Sequence, residues 1–160
     1  MTLPTLSSAI VVPAGYAIKP ATMRDVHAIR RLELVVFPKD AYSYLNLSAL
    51  LMWPGSANYK AVTSTEHLIG FVSGTPNWTS HVDWIVTLAV HPEHQNKGLG
   101  RRLLQMAEHG LAQSRLRLTV RASNAPAIHL YQSMGYAFAY LEPRYYHDGE
   151  DGLVLQKTHV

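Results

Sequence analysis

The spacing of apolar positions changes period several times along the chain, and each change marks an element. Tyr16–Lys19 is a short strand candidate. From Met23 to Val36 the residues Val26, Ile29, Glu33 and Val36 share one helical face, and the apolar members define an amphipathic helix. Thr22 is placed to cap it and Asp25 lies in its first turn, where the helix dipole favours an acid. Phe37-Pro38 ends it. Ser43–Trp53 reads as a second, more apolar helix, stopped by Pro54-Gly55.

Strands follow. Tyr59–Ser64 alternates weakly, and Leu68–Gly74 comes after a turn at Thr65-Glu66. Beyond a polar loop over Thr75–Ser80, the run Asp83–Val90 has the continuous β character of a strand covered on both faces, and Pro92 breaks it. Gly98–Ser114 carries the strongest helical pattern, with Leu99, Leu103, Met106 and Gly110 in line and Leu104, Ala107 and Leu111 beside them. Leu116–Val120 alternates as a strand, and Asn124–Met134 is a helix with Gly135 past its end. Tyr136–Tyr146 and Gly152–Lys157 are two strands joined by a turn over His147–Asp151 that contains an Asp-Gly pair.

The order β-α-α-β-β-β-α-β-α-β-β, with hairpins near both ends, predicts a mixed α+β sheet flanked by helices rather than a doubly wound parallel one. A chain of 160 residues suits a single domain, here residues 16–160, behind a flexible lead-in over 1–15. Hydrophobic residues make up 48% and charged residues only 16%, which excludes a disordered, highly charged chain. The net charge of +3 hints at anionic ligands, but Lys and Arg are too dispersed for a nucleic-acid binder. The absence of cysteine removes disulfide frameworks, thiolate zinc sites and cysteine nucleophiles, and it suits a reducing cytoplasm. No run approaches the roughly 18 apolar residues of a membrane span. The first 15 residues lack the positive charge of a signal peptide. The expectation is a cytoplasmic protein that binds neither membrane nor nucleic acid.

The informative segment runs from Trp84 to Arg102: a buried strand, a Pro-containing turn, a glycine-bearing loop and a helix start. Free backbone N–H groups at a helix N-terminus, approached closely past glycine, make an anion site. Lys97, Arg101 and Arg102 add positive charge there, so a pyrophosphate would suit it. A P-loop is excluded because G-x-x-x-x-G-K-[ST] is absent. A dinucleotide fingerprint is excluded because Leu103 stands where its third glycine belongs. What remains is Gln95-x-x-Gly98-x-Gly100 after a strand ending Leu88-Ala89-Val90. His91 and His94 have the H-x-x-H spacing of a metal pair but no third ligand, so no metal is expected. The Asp148–Asp151 stretch lacks calcium-loop spacing and reads as a hairpin turn.

Val90 through Gly100 resembles the acetyl-CoA motif of the GNAT acyltransferase superfamily, [QR]-x-x-G-x-[GA] after a strand. Leu118 through Tyr136, with Asn124, Ala127, Leu130-Tyr131 and Gly135-Tyr136, is similar to the family's V-x-x-x-N-x-x-A-x-x-L-Y-x-x-x-G-[FY] block. Arg144-Tyr145-Tyr146, the acidic turn and Val154–Lys157 look like the end of ribosomal-protein alanine and other protein N-terminal acetyltransferases. The resemblance covers Tyr16 to Lys157. It implies a mostly antiparallel sheet and acetyl-CoA as co-substrate.

Residue by residue, the resemblance implies that the pantetheine arm lies along Leu88, Ala89 and Val90, and that the pyrophosphate sits on the loop Gln95, Asn96, Lys97, Gly98, Leu99, Gly100 and Arg101. The Val90 N–H would face the thioester carbonyl as an oxyanion donor. Asn124 would touch the cofactor arm, and its side chain also suits a helix cap. Tyr131 would give a proton to the leaving thiolate. Phe37, Tyr42, Tyr145 and Tyr146 would frame the acceptor site. The family's usual base positions hold Thr119 and Trp84, neither a proton acceptor. Asp83 and His81 stand only near the start of that strand. Two routes stay open: an ordered water handed along by Tyr145 or Tyr146, or an α-amine of low enough pKa, about 7.7–8.0, to need no strong base.

The implied activity is direct transfer of an acetyl group to a primary amine, above all the α-amine of a peptide or protein. With no cysteine and no G-x-S-x-G, there is no covalent intermediate to expect. A small-molecule amine is the alternative acceptor, and an acetyl-CoA-binding sensor is the rival outside catalysis. Whether the protein is a monomer or a homodimer is not legible.

Overall fold

A computed structural model describes residues 10–112 and 115–158. Among these residues seven strands form one sheet in the order β1-β2-β3-β4-β5-β7-β6. They are β1 (Tyr16–Pro20), β2 (Ala57–Thr63), β3 (Leu68–Thr75), β4 (Val82–Val90), β5 (Arg115–Arg121), β6 (Ala137–Glu142) and β7 (Gly152–Thr158). The helices are α1 (Val26–Val36), α2 (Tyr44–Met52), α3 (Leu99–Gly110) and α4 (Ala125–Ser133). The order is the one expected from the sequence. Every neighbouring pair is antiparallel except β4 and β5.

Two cores lie on opposite faces of this sheet. Along β3 and β4 the side chains alternate, as strand geometry requires. Phe71 and Ala89 join Ile29, Leu32 and Leu47 of α1 and α2. Val72, Leu88 and Val90 turn the other way, towards Leu99, Leu103, Leu104 and Ala107 of α3 and Tyr131 of α4. Leu103 and Leu104 are fully buried, and each contributes about 1.5–3 kcal/mol by leaving water. Gly70 is what lets α3 come so close: a Cβ there would lie 2.9 Å from Leu103 Cδ1.

Several boundaries differ from the sequence expectation. The first helix opens as a 3-10 turn over Met23–Asp25, where the Asp25 carboxylate accepts the Thr22 N–H at 2.9 Å. The α3 helix stops at Gly110, although Leu111 continues the apolar pattern; Leu111 has left the helix for extended backbone and fills space over β3. Gln113 and Ser114, the end of the expected helix, lie outside the described residues. The β6 strand ends at Glu142 rather than Tyr146, because Pro143 follows it and Arg144 takes a left-handed backbone, φ 49°. The connection to β7 is therefore nine residues, 143–151, and not a five-residue turn. Of the lead-in, residues 1–9 lie outside the described residues, while Val12 leans on the core.

Candidate active site

The parallel contact between β4 and β5 is short. Only Val82, Asp83 and Trp84 pair, with Arg115, Leu116 and Arg117. A register shift on the β3 side contributes to the divergence: Thr87 faces Ser73 but Ile85 faces Gly74, so Val86 is an extra residue that bends the strand. Beyond Trp84 the two strands splay apart. The space between and beside them is a cavity of about 1150 Å³, lined by the second half of β4, by Leu118–Arg121 of β5 and by both helical layers.

The wall of this split carries unused backbone polarity. His91 donates its N–H to Ile69 on β3, at 2.8 Å. Hydrogen-bonding direction alternates along an antiparallel strand, so Ala89 also faces β3, and the N–H groups of Leu88 and Val90 face the split. The Val90 carbonyl does the same, and accepts from Gln95 Nε2 at 2.9 Å. A thread-like amide ligand could lie here as an added strand.

Below the split, the loop His94–Gly98 leads into α3. Gly98 is the N-cap, with φ 82°, and open space surrounds the position its Cβ would occupy. Arg102 is the first residue whose N–H reaches back into the helix, to the Gly98 carbonyl. The amides of Leu99, Gly100 and Arg101 thus have no acceptor within α3, at its positive dipole end. Gln95, Asn96, Gly98, Leu99, Gly100 and Arg101 all line the cavity. The set of free amides, glycine and nearby cation fits a pyrophosphate. Lys97 does not line it: its ammonium donates to the Tyr16 hydroxyl at 3.2 Å and lies over that ring. Ala89 is likewise outside, with its side chain in the α1–α2 core. His94 lines the cavity and hydrogen-bonds Tyr16, at 2.7 Å. Among the described residues, no three His, Asp or Glu side chains gather as metal ligands would.

From the α4 side, Asn124 caps the helix by accepting the Ala127 N–H at 3.3 Å, and it lines the cavity too. Tyr131, one helical turn after Ala127, is nearly buried and borders the same space. Burial pushes its hydroxyl up to about 12, so it holds its proton through the neutral range.

The opposite mouth is aromatic. Phe37, Tyr42, Tyr145 and Tyr146 meet there from two loops. The Tyr42 hydroxyl lies 3.5 Å from the Val86 carbonyl, and the Tyr145 and Tyr146 rings meet edge to face at 5.0 Å. Burial, then neighbouring Tyr145, Glu33 and Asp40, push Tyr42 up to about 12. Arg121 binds the two loops together. It reaches both oxygens of Asp40 at 2.7 and 2.8 Å, Asp148 at 2.9 Å and Glu150 at 2.8 Å, and stacks on Tyr146. The acidic turn expected as a plain hairpin is therefore a carboxylate clasp around one cation.

Thr119 and Trp84 line the cavity, whereas Asp83 and His81 do not. One acid that sequence reasoning treated only as part of a helix face does border it. Glu33 of α1 is fully buried. Its Oε1 accepts the Thr87 hydroxyl at 2.6 Å, and Oε2 lacks a hydrogen-bond partner of good geometry among the described residues. Burial raises its carboxyl above the ordinary glutamate range; the Thr87 hydroxyl, the nearby Tyr42 amide and the Arg30 charge pull the other way. The signal was present in the sequence as an acid at core spacing, beside Ile29 and Val36.

Comparison with known proteins agrees with this arrangement. Residues 24–136 match the family described as Acetyltransferase (GNAT) family. The chain is 30% identical over 148 residues to the N-terminal acetyltransferase A complex catalytic subunit NAA10 of Arabidopsis thaliana, covering 88% of this chain and 77% of that one. It is 42% identical over 79 residues to the ribosomal protein bS18-alanine N-acetyltransferase of Escherichia coli, covering 44% and 52%. The crystal structure of the ribosomal-protein-S18-alanine N-acetyltransferase from Escherichia coli superposes with a TM-score of 0.76 at 26% identity, covering 89% of this chain and 93% of that one.

Proposed function

The chain belongs to the acetyltransferase (GNAT) family, and from that premise we propose that it acetylates the α-amine of a peptide or protein N-terminus with acetyl-CoA. The observation that carries the reading is the split itself. It has a backbone-lined side ending in free helix amides, suited to a coenzyme, and an aromatic side suited to a peptide end. Relatives that match 88% of this chain are named an N-terminal acetyltransferase catalytic subunit and an N-alpha-acetyltransferase, which supports the same acceptor class. Acetyl-CoA, when bound, supplies the activated acetyl group.

The chain's own residues take these parts. The amides of Leu99, Gly100 and Arg101, with the Arg101 side chain, hold the phosphates. Leu88 and Val90 pair with the amide arm, and the Val90 N–H faces the oxyanion. Asn124 touches the arm while capping α4. Tyr131, protonated at neutral pH, gives its proton to the departing sulfur. Phe37, Tyr42, Tyr145 and Tyr146 hold the acceptor's first residues. No helix among the described residues is long and apolar enough to cross a membrane. A chain without cysteine suits the cytoplasm, where we place the reaction.

The test is a mixed reaction of enzyme, acetyl-CoA, unblocked peptides and small amines, read by mass spectrometry. Acetylated peptides are expected. Exclusive modification of small amines would move the protein to the small-molecule branch. Tight acetyl-CoA binding without turnover of any amine would make it a sensor.

A further inference from the structure

Two proton-handling groups border the split from opposite faces of the sheet. Tyr131 belongs to the α3–α4 side with the coenzyme-binding elements, and Glu33 to the α1–α2 side with the aromatic mouth. We propose that Glu33 is the group that receives the proton of the incoming ammonium, a part for which neither Thr119 nor Trp84 has the chemistry. The inference rests on the reading under Proposed function, that the acceptor is a protonated amine entering from the α1–α2 side.

The geometry suits that part and suits a structural one poorly. A fully buried carboxylate costs several kcal/mol unless it is paired. Here the Thr87 hydroxyl holds one oxygen and the nearby Tyr42 amide offsets part of the charge, but among the described residues no salt bridge joins Glu33 to a cation. The partner that would balance its charge is a cation arriving through the cavity. Buried Glu108 shows the contrast: Tyr136 donates to its Oε1 at 2.8 Å and Lys157 to its Oε2 at 3.0 Å, so both oxygens are taken. The titratable groups facing Glu33 are few. They are Arg30 on its own helix and Tyr42 on the following loop, while β4 presents the neutral Thr87. A carboxyl lifted towards neutrality is also a better match to an α-ammonium than an ordinary one, because proton transfer is then less uphill.

The ammonium gives one proton to Glu33 and becomes a free amine. Its nitrogen lone pair forms the C–N bond at the acetyl carbon. The C–S bond breaks, its electron pair leaves on sulfur, and the Tyr131 hydroxyl protonates that sulfur. The second nitrogen proton restores Tyr131, and Glu33 releases its proton to solvent. The net change is one amide, one free thiol and one proton.

The test compares the wild-type enzyme with Glu33→Gln, which keeps an oxygen for Thr87 but no basic site. The probe is a free-α-amine pentapeptide that the wild type turns over. At pH 7 kcat should fall about 100-fold or more, with acetyl-CoA affinity changed less than about threefold. As pH rises from 7 to 9.5 the variant should recover towards wild type, because the amine then arrives already deprotonated. The conservative Glu33→Asp variant should keep the wild-type shape of the pH profile at reduced kcat. A Glu33→Gln enzyme with wild-type kcat and profile would overturn the assignment. Should Glu33→Gln not fold, the wild-type profile decides: an acid limb in kcat that lies above the ordinary glutamate range, well below the peptide's own amine pKa and unmoved when a peptide of different amine pKa is used, supports Glu33, and a limb that tracks the amine pKa overturns it. If the wild type modifies no peptide, the acceptor reading falls, and the same comparison runs on the small amine that it does modify.

Discussion

The Arg121 guanidinium lies 4.2 Å from the centre of the Tyr146 ring, while its Nε and Nη2 donate to the two oxygens of Asp40. One side chain at the end of β5 thereby ties the loop after α1 to the loop after β6, and these two loops carry all four residues of the aromatic mouth proposed for the acceptor. Three carboxylates, of Asp40, Asp148 and Glu150, converge on it. Their proximity holds Arg121 firmly protonated; Asp148 is lowered first by the Glu150 N–H that it accepts and Glu150 first by Ser123, with Arg121 adding to both.

Arg121→Gln should therefore open the mouth. The lost charged hydrogen bonds are worth about 1.5–3 kcal/mol, and three acids are left facing one another. Acceptor kcat/KM should fall at least tenfold in steady-state kinetics, with acetyl-CoA affinity by calorimetry nearly unchanged. An equal loss in both would show that the clasp supports the whole split rather than its acceptor side.

Tyr131→Phe removes one hydroxyl from an otherwise retained ring. We expect kcat to fall about 100-fold with acetyl-CoA affinity within threefold, measured by single-turnover kinetics and titration. The alkaline side follows from the shift. Tyr42 and Tyr131 are both raised to about 12 from an ordinary value of 10. The folded state thus binds more protons than the unfolded one between those values. Stability from these two groups is complete below about pH 10 and is lost as pH rises through 12, which alkaline thermal melts would follow.

The two loop glycines should separate backbone strain from ligand contact. Gly98→Ala meets no atom but must hold a left-handed backbone, costing about 1–2 kcal/mol of stability. At Gly100 a Cβ would make ordinary contacts with Leu130 and Val90, at 3.5 and 3.8 Å. Gly100→Ala should therefore fold normally. Gly100→Glu, with a negative charge beside the free amides, should weaken acetyl-CoA at least tenfold, and undiminished affinity would remove the phosphates from this loop.

Glu33→Gln makes a stability prediction opposite in sign to an ordinary core mutation. A carboxyl raised in the folded state binds extra protons there, so its contribution to stability falls as pH rises from the ordinary glutamate value through the raised one. At pH 8 the variant should melt no lower than wild type, and any advantage should shrink on acidification. A large loss at pH 8, read by calorimetry, would make Glu33 a structural residue.

The element order was legible because each segment states its own period: Leu99, Leu103 and Ala107 could only be a helix face, and Leu116, Leu118 and Val120 a strand face. Ends governed by tertiary contact were not. Leu111 reads as helix but sits over Gly74, and the Leu-Glu-Pro-Arg run after Tyr140 hides the left-handed Arg144 that ends the strand. The glycine-bearing loop proposed for the phosphates was visible because its parts are contiguous. Glu33 was not, since its meaning depends on Thr87, which lies 54 residues away. Arg121 was hidden in the same way, by partners that lie 81 and 27 residues from it.

The most direct test of the central claim uses one peptide carrying both a free N-terminus and an internal lysine, incubated with enzyme and acetyl-CoA at pH 7.5. Fragmentation mass spectrometry then locates the acetyl group. The mark is expected on the α-nitrogen, and it should be lost when that nitrogen is blocked. An acetyl group on the lysine, or a peptide left unmodified while a small amine is consumed, would contradict it.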